Sequence, residues 1–279
     1  MANIAFIGTG LLGGALAEAA AKRGDKVAAW NRTAAKAQAL AAFGVHVADT
    51  PANAVKGAER VHIVVRDDAA VDSVVAAARP GLAKEAVIVD HTTTQPALTA
   101  ARATRLNSEG VKYLHCPVFI GPAAARAGAG TIMVAGPRAL YESVRSGLER
   151  MASQVEYLGE RPDIAAVYKL CGNAIIIGQT ALAADVMAIA RETRVPAADI
   201  LKVVELFNPA VAIASRGKAM AAGTFAPSFE LTMARKDVRL MLETAGSRPL
   251  AALPGIAARM DAVIAAGLGD QDMAVIGKA

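Results

Sequence analysis

A glycine-rich turn near the start of the chain constrains the fold more than any other feature. It reads Gly8-Thr9-Gly10-Leu11-Leu12-Gly13, directly after the apolar run 3–7 and directly before an Ala-rich helical stretch. The first glycine permits a tight turn, the second lets the backbone approach a pyrophosphate, and the third allows close helix–strand packing. The helix N-terminus then offers N–H groups to the phosphates. The motif predicts a dinucleotide-binding turn with all six residues at the cofactor.

Short apolar runs alternate with Ala-rich amphipathic stretches through the first half of the chain. We predict strands over 3–7, 26–30, 60–65, 86–90, 112–114 and 132–135, and helices over 12–23, 34–43, 51–57 and 71–78. This alternation is typical of a parallel sheet with helices on both faces. After residue 158 the pattern is helical and punctuated by prolines. We therefore predict an α/β chain, in which an N-terminal Rossmann domain over 1–160 contains a doubly wound parallel sheet. An all-helical C-terminal domain over 161–279 would serve substrate binding and dimerisation.

Composition excludes several classes of protein. Of the 279 residues 54% are hydrophobic and 20% are charged, which excludes intrinsic disorder. The net charge of +5 comes from scattered Lys and Arg, and aromatic residues make up only 4%. We therefore expect no nucleic-acid partner, because a nucleic-acid groove needs clustered cations and stacking rings. The two cysteines and four histidines lack metal-binding spacings, so we expect no metal site.

Two segments bear on the location of the protein. Met1 leads straight into an apolar strand, without the basic region and cleavage site of a secretory signal. The longest apolar stretch, 174–190, is interrupted by Gln179, Thr180 and Asp185, which are costly in the centre of a bilayer. We expect a cytoplasmic protein without a membrane partner.

The residues that end the second predicted strand distinguish between NAD and NADP. An acid that would accept hydrogen bonds from the ribose of NAD is absent, and the chain reads Asn31-Arg32-Thr33. Arg32 can pair with a 2′-phosphate, and Asn31 and Thr33 can donate hydrogen bonds to its oxygens. We therefore expect NADP(H), with NAD(H) as the weaker cofactor. An ordinary solvated arginine is the alternative.

A lysine lies within a helix that is apolar on every face. The helix is predicted from Asp163 to about Arg191, and such a helix must be surrounded by protein. Lys169 and Asn173 are four residues apart and share one face of it. The ammonium could protonate a carbonyl oxygen as hydride arrives, with Asn173 holding the substrate or orienting the amine. A lysine that reaches from the helix to water is the alternative.

These motifs together resemble the β-hydroxyacid dehydrogenases, which include 3-hydroxyisobutyrate dehydrogenase and the glyoxylate/succinic semialdehyde reductases. The resemblance runs essentially end to end and implies Lys169 and Asn173 as the catalytic residues. The resemblance implies roles for residues in three other segments. Val65 and Arg66 would lie in a turn that lines the cofactor, and Lys236 would reach back to the cofactor. Thr92 would contact the substrate, and Thr93 would contact the cofactor. A dimer or tetramer is implied as well.

Two departures from the family bear on the substrate. Where the family usually has Pro-Val-Ser-Gly-Gly, this chain has Phe119, Ile120 and Gly121 after Pro117-Val118, so the hydroxyl that holds a substrate carboxylate is replaced by apolar bulk. We place these three residues at the substrate and expect a larger or less polar one. The stretch 159–168 looks more like the related imine reductases, which usually have Asp or Tyr where this chain has Lys169.

Three functions remain open from the sequence. The first is an NADP(H)-dependent oxidoreductase that interconverts a small β-hydroxyacid, or a related alcohol, and its aldehyde or keto form. The second is an imine reductase or reductive aminase on the same scaffold. The third is a non-catalytic NADP-binding sensor. We expect the first, acting as a homodimer or homotetramer, since the apolar helix has more surface than one helical domain covers.

Overall fold

The structure, a computed structural model, describes residues 1–278. The strands are β1 (Asn3–Ile7), β2 (Lys26–Trp30), β3 (His46–Val47), β4 (Arg60–Ile63), β5 (Val87–Asp90), β6 (Lys112–His115), β7 (Val118–Phe119), β8 (Thr131–Val134) and β9 (Gln154–Tyr157). The helices are α1 (Leu11–Lys22), α2 (Ala34–Gln38), α3 (Pro51–Ala54), α4 (Asp68–Ala78), α5 (Pro96–Ser108), α6 (Pro122–Arg126), α7 (Arg138–Glu149), α8 (Ile164–Glu192), α9 (Ala197–Ile200), α10 (Val203–Leu206), α11 (Pro209–Ala222), α12 (Leu231–Ala245) and α13 (Leu253–Val263). Contacts group them into two compact units, which divide between Asn173 and Ala174.

A six-stranded sheet organises the first unit. Its order is β3-β2-β1-β4-β5-β6, and every pairing is parallel. Both faces are buried, since Ile4 and Phe6 of β1 belong to one hydrophobic cluster while Ala5 and Ile7 belong to another. The predicted doubly wound parallel sheet is confirmed. The strand order reverses between β1 and β4, which is where ligands bind in such sheets.

The strand predicted over 132–135 lies in a different sheet from the one expected. It is β8, which pairs antiparallel with β7 and parallel with β9 in a separate three-stranded sheet. The prediction that it joins the parallel sheet is wrong. An isolated antiparallel bridge between His115 and Ala135 joins the two sheets, and strands of both contribute to one hydrophobic cluster.

Other differences concern short or polar elements. The helix predicted over 34–43 is α2 followed by a 3-10 turn at Ala41–Phe43, as expected of a helix too short to propagate. The two-residue strands β3 and β7 are too short for a periodic pattern, and β9 alternates around polar residues. Helix α5 was also missed, because it contains the buried Arg102, which pairs with Asp68 at 2.8 Å and Asp72 at 3.0 Å.

The second unit, from Ala174 on, is helical, and the predicted helical C-terminal region is confirmed. Two buried carboxylates fasten its loops. Asp185 of α8 accepts the N–H groups of residues 251–253 at the start of α13, and these hydrogen bonds lower the pKa of Asp185 against the opposing effect of burial. Asp272 accepts N–H groups of Ser228, Phe229 and Ala274, and its pKa is lowered to about 2 despite burial.

The boundary predicted at 160/161 falls before α8, whereas the compact units divide within it. The first turn of α8 belongs to the first unit because Ala165 packs with Met133 and Ala135 of the second sheet. The domain boundary at 160/161 therefore stays a prediction.

The middle of α8 is exposed, although we expected protein on every face. Ile175, Ile176 and Ile177 are 47%, 51% and 67% exposed. The described chain leaves this part of the helix open, and the second copy that we expect to pack on it stays a prediction. The helix is long and apolar enough to cross a membrane by length and composition alone, with a mean hydropathy of 1.5 over 18 residues. A helix covered by another subunit meets the same criterion.

Candidate cofactor and active site

The glycine turn is a backbone cradle in which side chains would collide. Gly8 has a φ of +95°, and a Cβ there would strike the carbonyl oxygen of Val64. A Cβ on Gly13 would strike the carbonyl oxygen of Gly8, whereas the Cβ position of Gly10 has nothing within 4 Å. Gly10 caps α1 without a side-chain hydrogen bond, so the first N–H groups of the helix are available to a ligand. The cradle therefore fits the pyrophosphate of a dinucleotide.

Asn31 fastens this turn to the end of β2. Its Oδ1 accepts the N–H of Thr9 at 2.9 Å, and its Nδ2 donates to the carbonyl of Thr33 at 2.9 Å. The N–H of Gly8 also donates to the carbonyl of Trp30 at 2.9 Å. Asn31 therefore shapes the loop that carries Arg32, and one of its amide hydrogens remains for the predicted phosphate contact.

A cleft of about 420 Å³ opens beside the turn, and we call it the glycine cleft. It brings together most of the residues predicted at the cofactor: Gly8, Gly10, Leu11, Leu12, Gly13, Asn31, Arg32, Thr33, Val65 and Arg66. Trp30, Lys36 and Ser73 also line it and were missed from the sequence. Lys36 could have been found, since it follows Arg32 by four residues in the first turns of a predicted helix.

The rim of the glycine cleft is positive. Arg32 and Lys36 are exposed there, and neither forms an ion pair with a carboxylate of residues 1–278. Arg66 pairs with Asp67 at 2.8 Å, and Asp67 also caps α4 by accepting the N–H of Ala70. The Ala70 N–H, and then Arg66, lower the pKa of Asp67. Two unpaired cations next to the end of β2 suit a ribose 2′-phosphate.

A second cleft, of about 460 Å³, lies at the opposite edge of the sheet. It is lined by Asn3, Asp25, Lys26 and His46 at the amino ends of the strands. Doubly wound sheets bind nucleotides at the carboxyl ends of their strands. The glycine cleft therefore lies where a dinucleotide is expected to bind, and the second cleft does not.

The segment that follows β5 forms a hydrogen bond with Val65, one of the residues that line the glycine cleft. The Oγ1 of buried Thr92 accepts the N–H of Val65 at 3.2 Å, and the N–H of Thr92 donates to Asp90 at 2.9 Å. Asp90 also accepts the hydroxyl of Tyr113 at 2.7 Å. Thr93 is exposed beside them. The structure thus places Thr92 behind the turn, with its hydroxyl proton free to donate, and Thr93 at the surface.

Two buried histidines, His62 of β4 and His91 directly after β5, form a hydrogen-bonded pair beside this segment. His91 Nδ1 lies 2.7 Å from the Cys116 carbonyl, which can only accept, so His91 Nε2 accepts in turn from His62 Nδ1 at 3.0 Å. The His62 ring stacks on Phe6 with their centroids 4.8 Å apart, and it lies nearly coplanar with the ring of His91. Burial lowers the pKa of both histidines, and that of His62 lies well below its ordinary value. Both imidazoles are therefore neutral structural groups at physiological pH.

Lys169 lies over an aromatic ring at the start of α8. Its Nζ is 4.2 Å from the centroid of Phe119, and we call these two residues the lysine–phenyl pair. The ammonium has no carboxylate partner among residues 1–278, and burial lowers the pKa of Lys169. Asn173 is partly buried one turn further along the same helix. A partly desolvated lysine without a partner is suited to proton transfer.

The other predicted substrate residues follow Phe119 directly. Ile120 packs against the same hydrophobic cluster as Leu12 of the glycine turn. Gly121 is exposed and caps α6, which packs along α1 and is held there by Arg126, whose guanidinium lies 2.8 Å from Glu18. Contacts within the first unit therefore attach this segment to the helix that begins at the glycine turn.

Lys236 belongs to the second unit, where it pairs with Asp237 at 2.9 Å. Its predicted contact with the cofactor, like the other residue roles named above, stays a prediction. Among residues 1–278, no group of three or more His, Cys, Asp or Glu side chains could hold a metal ion.

A doubly wound sheet with a glycine cradle and a positive rim defines a dinucleotide-binding protein. Residues 3–159 match the family model described as the NAD binding domain of 6-phosphogluconate dehydrogenase. Residues 164–279 match the one described as the NAD-binding domain of NADP-dependent 3-hydroxyisobutyrate dehydrogenase. The chain therefore belongs to this family of NAD(P)-dependent oxidoreductases, and the resemblance predicted from its motifs is confirmed.

Individual relatives extend over nearly the whole chain. An uncharacterized oxidoreductase of Shewanella frigidimarina is 31% identical, over 91% of this chain and 90% of the relative. Glyoxylate/succinic semialdehyde reductase 1 of Arabidopsis thaliana is 26% identical, over 98% of this chain and 96% of the relative. Among solved structures, an imine reductase of Streptomyces aurantiacus is 26% identical with a TM-score of 0.89, and 98% of each chain is covered. An imine reductase of Myxococcus stipitatus in complex with NADP+ has a TM-score of 0.88 at 23% identity, with 98% of each chain covered, and shows the shared fold.

Proposed function

We propose that this protein is an NADP(H)-dependent oxidoreductase that interconverts a small β-hydroxyacid, or a related alcohol, and its aldehyde or keto form. The observation that carries the proposal is the Lys169 ammonium, which is partly buried, unpaired within residues 1–278 and lowered in pKa. Partial burial makes the ammonium give up its proton more readily than a solvated lysine does, which suits a general acid. The 26% identity to a glyoxylate/succinic semialdehyde reductase supports the carbonyl substrate class.

The proposed reaction needs one hydride and one proton. A nicotinamide cofactor bound in the glycine cleft would supply the hydride for reduction of the carbonyl carbon. Lys169 donates the proton to the carbonyl oxygen as negative charge develops there, which gives the alcohol and leaves a neutral amine that solvent reprotonates. In the oxidative direction the neutral amine accepts the hydroxyl proton. Asn173, on the same helix face, positions the substrate oxygen or the amine.

The positive rim of the glycine cleft supports NADP(H) as the cofactor. Arg32 and Lys36 are exposed there without carboxylate partners among residues 1–278. A 2′-phosphate adds charge-assisted hydrogen bonds with such cations, whereas the ribose of NAD offers them only hydroxyl groups. A structural neighbour in complex with NADP+ is consistent with this choice.

Imine reduction is the second candidate function. It is supported by the names of the structural neighbours and by Phe119 and Ile120, which make the predicted substrate segment apolar. Imines are less polar than semialdehyde acids and need no anchor for a carboxylate. The two candidates therefore differ in the substrate, while the cleft and the hydride transfer are common to both.

The experiment is a substrate panel monitored by NADPH and NADH oxidation. Glyoxylate, succinic semialdehyde and a cyclic imine are compared on wild type, Lys169→Ala and Lys22→Ala. Lys22 is the matched control, since its Nζ lies 4.8 Å from the ring of Phe43 on the surface of the same unit. We expect carbonyl turnover that prefers NADPH, is lost in Lys169→Ala and persists in Lys22→Ala. Turnover of the imine alone would favour the second candidate.

The exposed apolar face of α8 supports a homodimer or homotetramer. Ile175, Ile176 and Ile177 remain 47–67% exposed in the described chain, and a second copy of the helix would bury them. Light scattering coupled to size exclusion would measure the mass, and a stable monomer would contradict the proposal. The free thiols of Cys116 and Cys171 support a cytoplasmic location.

A further inference from the structure

Phe119 forms the surface on which the Lys169 side chain lies. It ends the two-residue strand β7, and its ring packs with Met133, Ala135 and Ala165 between the second sheet and the start of α8. The ring faces the lysine at 4.2 Å, a distance at which its negative π face attracts a cation. The contact joins residues that are fifty positions apart, so the fold and not local sequence creates it.

Gly172 makes room for the ring. A Cβ on Gly172 would strike Cζ of Phe119, so the edge of the ring lies directly against the backbone of α8. Gly172 lies three residues, or about one helical turn, after Lys169 on α8. Its lack of a side chain lets the ring lie beneath the ammonium. Any larger residue at position 172 would push the ring away from the lysine.

The surroundings of Lys169 leave the ring as its main electrostatic partner. Arg161 and Asp163, the charged residues just before it in the chain, pair with each other at 2.7 Å. Val118 and Phe119 of β7 carry no charge, and burial alone lowers the pKa of Lys169. Burial and the π face act in opposite directions, since burial disfavours the cation and the ring stabilises it.

We infer that Phe119 is a positioning residue, which holds the Lys169 ammonium over its ring and keeps it protonated for transfer to the substrate oxygen. The inference rests on the proposed function for the use of that proton. It gives the aromatic side chain within the predicted substrate segment a role. An aliphatic side chain of similar size would leave the lysine equally buried but without the attraction of the π face.

Competitive acetylation across pH 7 to 11 tests the inference without any substrate. Acetic anhydride modifies neutral amines, so peptide mapping by mass spectrometry gives the apparent pKa of each lysine in the folded enzyme. We expect Phe119→Leu to lower the pKa of Lys169 by about 0.5 to 1 unit, the range that a cation–π contact supports.

Two further variants make the test specific. Gly172→Ala displaces the ring without removing it and should shift Lys169 in the same direction as Phe119→Leu. Phe43→Leu removes the corresponding ring beneath Lys22 and should leave Lys169 unchanged. If Phe119→Leu and Gly172→Ala fold normally and leave the pKa of Lys169 unchanged or raised, the inference is wrong. Failure of the proposed function would show separately, as normal turnover by Lys169→Ala.

Discussion

The glycine cleft and the lysine–phenyl pair are built from different parts of the polypeptide. At the glycine cleft the critical contacts are between backbone atoms, and Gly8 and Gly13 matter because they lack side chains. In the lysine–phenyl pair the contact is between two side chains from β7 and α8. A site made of backbone is encoded by a short local motif, whereas a site made of side chains depends on packing between distant segments. Substitutions should therefore affect the two sites in different ways.

The largest effect is expected from filling the backbone cradle. Gly13→Ala places a Cβ against the Gly8 carbonyl, and the turn must shift to relieve the collision. We expect the Kd for NADPH to rise about 100-fold, or roughly 2.7 kcal/mol, which is within the usual cost of overpacking. Fluorescence titration of NADPH measures it. Gly14→Ala is the matched control, since its Cβ would be 3.6 Å from the carbonyl oxygen of Thr9, and its affinity should be unchanged.

A smaller effect is expected from the rim of the same cleft. Arg32→Ala removes one of the two unpaired cations, and a charged hydrogen bond is worth about 1.5–3 kcal/mol. The ratio of kcat/KM for NADPH to that for NADH should therefore fall about 10- to 100-fold, chiefly by loss of NADPH affinity. Equal losses with both cofactors would mean that Arg32 stabilises the loop and does not select the phosphate.

Substitutions at the lysine–phenyl pair should have effects that depend on one another, whereas a substitution at the glycine cleft should act through a steric collision. Gly172→Ala and Phe119→Leu both separate the ring from Lys169, so each should lower kcat for carbonyl reduction by about threefold at a pH above the pKa of Lys169, the equivalent of half a pKa unit. The double variant should be no worse than either single one, because the second change acts on a contact already lost. Effects that multiply would contradict a shared contact.

The smallest effect concerns the histidines behind the glycine cleft. The folded-state pKa values of His62 and His91 are lowered by burial, so the unfolded chain binds protons first as the pH falls below about 6.5. The stability that this provides is nearly complete at pH 7 and declines as the pH falls through 6.5 toward 5. We expect the melting temperature to fall by a few degrees over this range, and less steeply in His62→Phe. A flat profile in wild type would contradict neutral buried histidines.

The same contrast explains how much could be predicted from sequence. Strand β1, the glycine turn and α1 follow from the spacing of Gly8, Gly10 and Gly13, and residues 3–7 and 26–30 match their predicted strands. The apolar faces of α8 indicate that it needs more cover than one helical domain gives, but they do not indicate which of its residues the same chain leaves exposed. The lysine–phenyl pair could not be predicted, since no local pattern relates Phe119 to Gly172. Lys36 could have been predicted at the cleft, because the sequence shows its four-residue spacing from Arg32.

Single-turnover kinetics of Lys169→Ala test the central claim most directly. NADPH and succinic semialdehyde are mixed with excess wild-type or variant enzyme in a stopped-flow instrument, and NADPH absorbance reports the hydride step apart from product release. Removal of a general acid should slow this step about 10²- to 10⁴-fold, while the Kd for NADPH stays unchanged. A variant that transfers hydride at the wild-type rate, with NADPH equally well bound, would show that Lys169 is not the proton donor.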